Sequence, residues 1–191
     1  MSNSFFMPLK TFISLIIFII IFICIFFIPF LPNSSASYPI YDNAILDISS
    51  SGYAWPSPGY TTINSYFGYR TSPTAGASSY HSGLDIGAPE GAKLIAVTSG
   101  EITFANFLGG GGYTITLTSG NIKLTYCHVS PYYIVKKGDY VLQGQVIGYV
   151  GPKNVYGVKG NQYKDENGNP TNGATTRSAF TFWSKNQWRI C

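Results

Sequence analysis

The 191-residue sequence is short of charge: Asp, Glu, Lys and Arg make up only 10% of it, while aromatic residues make up 16%. That balance excludes a disordered, solvating chain, which needs high net charge and few aromatics. Basic runs are missing too. The formal charge is +4, with Lys10 at one end and Arg177, Lys185 and Arg189 at the other; residues 11–176 hold eight basic and eight acidic side chains. No nucleic-acid footprint exists in such a distribution. Cysteine is limited to Cys24, Cys127 and Cys191, and no pair has zinc-finger or redox spacing. A Cys127–Cys191 disulfide stays open, and export does not require one. Histidine is scarcer still: His81 and His128 are the only two.

The N-terminus has what the rest lacks. Residues 11–31, "TFISLIIFIIIFICIFFIPFL", are 21 positions without a charge. A membrane-spanning helix needs about 20. Lys10 precedes the run and the next basic residue is Arg70, so the positive-inside rule keeps residues 1–10 in the cytoplasm and sends the rest outward. The run exceeds the roughly 7–15 residues of a signal-peptide core. The expectation is a single-pass anchor, or an uncleaved signal, at the cell membrane; the alternative is a signal removed at the small residues of "SSASYP", and both export the domain. Residues 32–52 read as a linker, and a domain on the extracytoplasmic side begins at residue 53.

From "WPSPGYTTINSYFGYR" onward short apolar runs alternate with Gly and Pro turns. The β-branched and aromatic content, with turn signals at short spacing, predicts mainly antiparallel sheet and no long helix. "TITLTSGNIKLTY" reads as a hairpin turning at Ser119-Gly120-Asn121. In its second run the period of two puts Leu124, Tyr126 and His128 on one face. "VKKGDYVLQGQVIGYVG" offers turns at Gly138-Asp139 and Gly144-Gln145 and core at Val141, Val146, Ile147 and Val150. "APEGAKLIAVTSGEI" has a similar rhythm, so the two read as related copies. Residues 151–176 form a long polar loop, of the kind that is usually functional or mobile. "LGGGG" at 108–112 reads as a flexible turn. Trp55 and Tyr60 are expected on the sheet edge, and Arg70 is expected to pair a carboxylate or carbonyl.

Two short stretches carry chemistry. "HSGLD" sets His81 and Asp85 four apart on a Gly-rich segment, where an imidazole nitrogen and a carboxylate oxygen, ordinary zinc ligands, can reach one point. Alone, this spacing is a weak signal and better suits a surface histidine beside an aspartate that bonds turn amides. His128, in "YCHVSP", alone suits a packed strand residue. In order, however, "INSYFGYR", "HSGLDIGAPEGAKLIAVTSGEI", "YCHVSP" and "VKKGDYVLQGQVIGYVG" resemble the lysostaphin-type (LytM-like) zinc metallo-endopeptidases, over roughly residues 55–176. The resemblance implies an all-β duplicated hybrid motif domain at 53–176 that acts on peptidoglycan peptides in the cell wall. It implies His81 and Asp85 as zinc ligands, His128 as the active-site histidine that donates toward the developing oxyanion, and the 151–176 loop as a groove wall. A non-catalytic wall-binding or hydrolase-activating scaffold of the same fold is the alternative. A biotinyl or lipoyl carrier shares the "VKKGDYVLQGQVIGYVG" rhythm but lacks a Met-Lys-Met hairpin.

The family pattern also needs a His-x-His pair on a last strand, giving a third zinc ligand and a base. No histidine follows His128. Residues 177–191, "RSAFTFWSKNQWRIC", show no clean alternation. Back-translated with chosen synonymous codons and read one base later, Arg177–Trp183 becomes Gly-Pro-His-Leu-His-Phe-Gly, and the remainder becomes Val-Arg-Ile-Asn-Gly-Glu-Tyr. The tail is therefore expected to be out of frame. The chain as written should hold zinc weakly or not at all and be inactive. Losing the last proper strand should expose a sheet edge.

Overall fold

The computed structural model describes residues 9–26, 49–72, 78–175 and 180–184. It forms two units, residues 1–38 and 39–191. In the first, helix α1 (Leu9–Phe26) is 18 residues long, about 27 Å at 1.5 Å per residue. Lys10 stands in its first turn. Among the described residues no helix is long and apolar enough to cross a membrane. The described helix is about half a turn short of a core about 30 Å thick, and positions 27–31 of the apolar run lie outside the described residues.

The second unit is antiparallel sheet, as the alternation predicts. In chain order its strands are β1 (Ile63–Ser65), β2 (Gly68–Tyr69), β3 (Tyr80–His81), β4 (Gly83–Ile86), β5 (Lys93–Ile95), β6 (Gly100–Phe107), β7 (Tyr113–Ser119), β8 (Ile122–Cys127), β9 (Tyr140–Val141), β10 (Val146–Tyr149) and β11 (Phe180–Ser184). Seven of them make one sheet in the order β1-β4-β11-β8-β7-β6-β9; β10 pairs with β5, and β2 with β3. The β7–β8 hairpin turns at Gly120 as expected, with Ser119 opposite Ile122. The two related copies meet: β10 lies antiparallel to β5, and β9 to the start of β6.

One face of the large sheet packs on β5 and β10. Ile86, Ile102, Ile115, Leu117, Leu124, Tyr126 and Phe182 meet Leu94 and Ile147 there, all buried. Val141, Val146, Ile147 and Val150 are buried as predicted. Tyr126 joins the two layers. Its hydroxyl donates to the Ile95 carbonyl at 3.0 Å and accepts from the Val97 N–H at 3.1 Å, and its ring stands edge-on to Phe182 at 5.1 Å.

The tail departs from expectation. Phe180–Ser184 leaves no edge open, because it fills the slot between β4 and β8. Ladder hydrogen bonds belong to the backbone, and the one demand on this strand's core face is met by Phe182. Trp55 lies where expected. The Ala54 N–H donates to the Val97 carbonyl at 2.9 Å and the Pro56 carbonyl accepts from the Ile95 N–H at 3.0 Å, so residues 54–56 line the outer edge of β5. Trp55 packs against the core there, and its indole N–H donates to the Tyr60 carbonyl at 2.8 Å.

Candidate functional site

Strand alternation sends Leu84, Tyr126 and Phe182 into the core, so the opposite face of the same three strands carries Asp85, Cys127 and Thr181. Thr181 is the direct cross-strand partner of both Asp85 and Cys127. Its hydroxyl donates to Asp85 Oδ1. His81 arrives on β3, next to β4, with Nε2 3.1 Å from the same Oδ1. The His81 Nδ1–H donates to the Tyr66 carbonyl at 3.0 Å, with Ser65 Oγ 3.3 Å away. A carbonyl can only accept, so Nδ1 carries the proton and the neutral ring's lone pair is on Nε2. That lone pair faces a carboxylate oxygen. Two acceptors at this distance need a cation between them, either a proton or a metal.

The Asp85 carboxylate is already well supplied with donors. Arg70 Nη1 lies 3.0 Å from Oδ2 and also donates to Ser65 Oγ, as the expected carboxylate partner. Burial pushes the Asp85 carboxyl up. With a proton on His81 Nε2 as well, the hydrogen bond and charge of that ring, together with hydrogen bonds from Thr181 and Arg70, more than reverse this, pulling it from 3.8 down to about 2. A depressed carboxylate contributes stability that is complete above its unfolded pKa and lost as pH falls through its folded one. The metal-free protein is therefore expected to lose up to about 2 kcal/mol of stability between about pH 4 and pH 2. Asp85→Asn should flatten that segment. Urea unfolding at a series of pH values checks both, and a wild-type profile that is flat through the window would count against the cluster.

His128 follows β8, but not on the face expected from period two. Its φ is +58°, the only positive value at a non-glycine among the described residues. Such a conformation costs on the order of 1–3 kcal/mol and persists where surroundings dictate it. Here the His128 N–H donates to the Gly111 carbonyl at 2.8 Å, and its carbonyl accepts from Gly151 N–H at 2.9 Å. The left-handed residue breaks the alternation, so His128 leaves the Leu124–Tyr126 face. Its buried ring lies close enough to Asp85 and His81 to feel their charges. Nδ1 sits 2.6 Å from the Asn172 carbonyl. Burial, first, holds the His128 pKa below the ordinary imidazole range. Neighbouring Cys127 is pushed by burial up to about 12, leaving a neutral thiol.

His81 and Asp85 thus come together as the sequence suggests, with His128 in electrostatic reach of both. A catalytic zinc takes three protein donors and keeps one position open. Nε2 and Oδ1 at 3.1 Å stand near the ligand–ligand edge of a tetrahedron with bonds of about 2.0–2.1 Å. The third group on Oδ1 is a threonine hydroxyl, which is no ordinary zinc ligand. Among the described residues no three His, Cys, Asp or Glu side chains converge on one point. The residues present supply two donors of the three, and so do not fit a catalytic zinc. Sequence reasoning missed Thr181 and Asn172. Period two within "FTF" was the available signal for the first; no local signal marks the second.

The loop is built, not loose. The Asp165 carboxylate accepts from the main-chain N–H groups of Asn167 and Asn169 and from the Asn154 amide. The Lys153 ammonium lies 3.5 Å away. These bonds hold the segment that delivers Asn172 to His128.

Residues 79–163 match the family model described as "Peptidase family M23". Over 93 residues the chain is 38% identical to the DD-carboxypeptidase/endopeptidase Mpg of Neisseria meningitidis serogroup B, covering 48% of this chain and 21% of that protein. Lysostaphin of Staphylococcus simulans is 34% identical over 95 residues, covering 47% and 19% respectively. The chain therefore spans about a fifth of the length of the curated relatives it matches. The solved catalytic domain of the antimicrobial peptidase lysostaphin from Staphylococcus simulans superposes with a TM-score of 0.50 at 28% identity, over 65% of this chain and 79% of that one. A zinc-containing peptidase from Vibrio cholerae shares the fold, with a TM-score of 0.52 at 22% identity over 72% of this chain and 39% of that one.

Proposed function

We propose, from the match of residues 79–163 to peptidase family M23 and the likeness to its relatives, that the chain is a membrane-anchored, exported peptidoglycan endopeptidase of cell-wall remodelling that has lost its third metal ligand. His81 and Asp85 are the retained ligands and His128 the retained active-site histidine. Zinc is held weakly or not at all, and the protein as written is inactive. The uncharged run at 11–31 with Lys10 before it supports the anchor. Recovery of the full chain in the carbonate-washed membrane fraction is the check, and release by the wash would remove that part of the reading.

One observation carries the loss. The slipped frame writes Gly-Pro-His-Leu-His-Phe over positions 177–182, which puts an imidazole at 181. Thr181 is the residue whose side chain already touches Asp85. The one-base slip of a back-translation with chosen codons and the register of strand pairing point to the same position.

Purified peptidoglycan is the test. The chain as written should leave it intact, and the chain with Gly-Pro-His-Leu-His-Phe in place of 177–182 should solubilise it and stop when a chelator is added. Chelator-sensitive hydrolysis by the unaltered chain would overturn the account of the tail. An inert restored chain would count against the peptidase reading. Sequencing across codons 176–177 decides the frame itself.

The non-catalytic scaffold has one observation in its favour: the Arg70–Asp85 ion pair at 3.0 Å neutralises the carboxylate without any metal. Binding of the unaltered chain to intact peptidoglycan, without release of fragments, would be its signature.

A further inference from the structure

Asn172 is completely buried (0% exposed) where three segments meet: the glycine run, the turn after β8 and the long loop. Its polar atoms are all engaged. Oδ1 accepts from the Tyr113 N–H at 2.8 Å, Nδ2 donates to the Val129 carbonyl at 3.0 Å, and its own N–H donates to the Lys153 carbonyl at 2.8 Å. The backbone closes tightly around it. A Cβ on Gly112 would stand 2.3 Å from the Asn172 carbonyl oxygen, and one on Gly173 2.3 Å from the Gly112 nitrogen. At Gly112 the glycine run is thus closely fitted to Asn172, while Gly109 at its start has nothing within 4 Å.

The carbonyl of Asn172 has no proton to give, so in its 2.6 Å contact with His128 the proton belongs to Nδ1. We infer that Asn172 is the positioning residue of His128: its main-chain carbonyl, locked by the side chain's bonds to Tyr113 and Val129, fixes the Nδ1–H tautomer and presents Nε2 as a proton acceptor. A neutral ring held this way enters a reaction by taking a proton. That revises the donor role the family resemblance implies. The inference deepens the reading of His128 as the site's proton-handling group and rests on it only for the chemistry. The tautomer is measured without turnover, so a failure of the peptidase reading leaves it standing, and the reverse also holds.

The experiment is imidazole ¹H–¹⁵N correlation NMR on the full chain in detergent micelles, labelled at histidine. Only two rings contribute, and His128→Gln identifies its signals by their loss. At neutral pH the His128 ring should show a pyrrole-like Nδ1 and a pyridine-like Nε2, with the Nδ1–H form in about tenfold excess, the weight of one net hydrogen bond. In Asn172→Ala the freed loop should bring the two forms to near-even populations while core methyl signals stay in place. If that variant fails to fold, Asn172→Asp, which keeps an acceptor for Tyr113 N–H and loses the donor to Val129, should shift the ratio the same way. An Nε2–H ring or an imidazolium in the wild type would overturn the inference. So would an unchanged Nδ1–H excess in a folded variant.

Discussion

Thr181→His is expected to tighten zinc binding by about 100- to 1,000-fold. Structural zinc contributes roughly 10–16 kcal/mol through four ligands, about 2.5–4 kcal/mol per donor, which is close to that range of affinity. Geometry makes the site receptive. Thr181 lies directly across from Asp85 and Cys127, and its hydroxyl already reaches Oδ1. His81 has its Nδ1–H anchored on the Tyr66 carbonyl, the outer-shell bond that orients a ligating imidazole. Arg70 holds the other carboxylate oxygen, Oδ2, leaving Oδ1 for a metal. Competition against a chromophoric chelator measures the effect. Phe182→His is the control, because it adds an imidazole on the core face and should gain no affinity. If Thr181→His bound zinc no better than the unaltered chain, position 181 would not be the vacant ligand slot.

Tyr126→Phe is expected to destabilise the domain by about 2–6 kcal/mol. The hydroxyl is wholly enclosed (0% exposed) and bridges the Ile95 carbonyl and the Val97 N–H. Removing it strands one donor and one acceptor out of water, at roughly 1–3 kcal/mol each. Ring packing survives, so the loss reports the bridge alone. Phe182→Ala removes the other half of the edge-on pair and should cost about 3–5 kcal/mol. Urea unfolding gives both values. A cost below about 1 kcal/mol for Tyr126→Phe would mean that water satisfies the stranded groups.

How much of this was readable from the residues depends on the range over which each feature is decided. The β7–β8 hairpin was legible because Ser119-Gly120-Asn121 and the flanking alternation are local. The buried valines of residues 141–150 were legible for the same reason. So was the joining of His81 to Asp85, four positions apart. His128's face was not legible. Its left-handed backbone is imposed by Gly111 and Gly151, neither of which neighbours it in sequence. The glycine run was legible as a turn, but the close fit at Gly112 was not, because it depends on Asn172, some sixty positions later. β11 was missed because Phe180-Thr181-Phe182 is too short a pattern to outweigh an odd tail. Its place is set by the gap between β4 and β8.

That gap has a consequence for how such a gene decays. The strand that fills it is held mainly by amide-to-carbonyl ladders, which are blind to spelling, and by one aromatic ring at 182. On the reading proposed above, a lesion upstream of it would rewrite the whole segment and erase the metal chemistry while the strand pairing is kept. Blotting or fractionation would then record a healthy gene product, and only a reaction assay would reveal the defect.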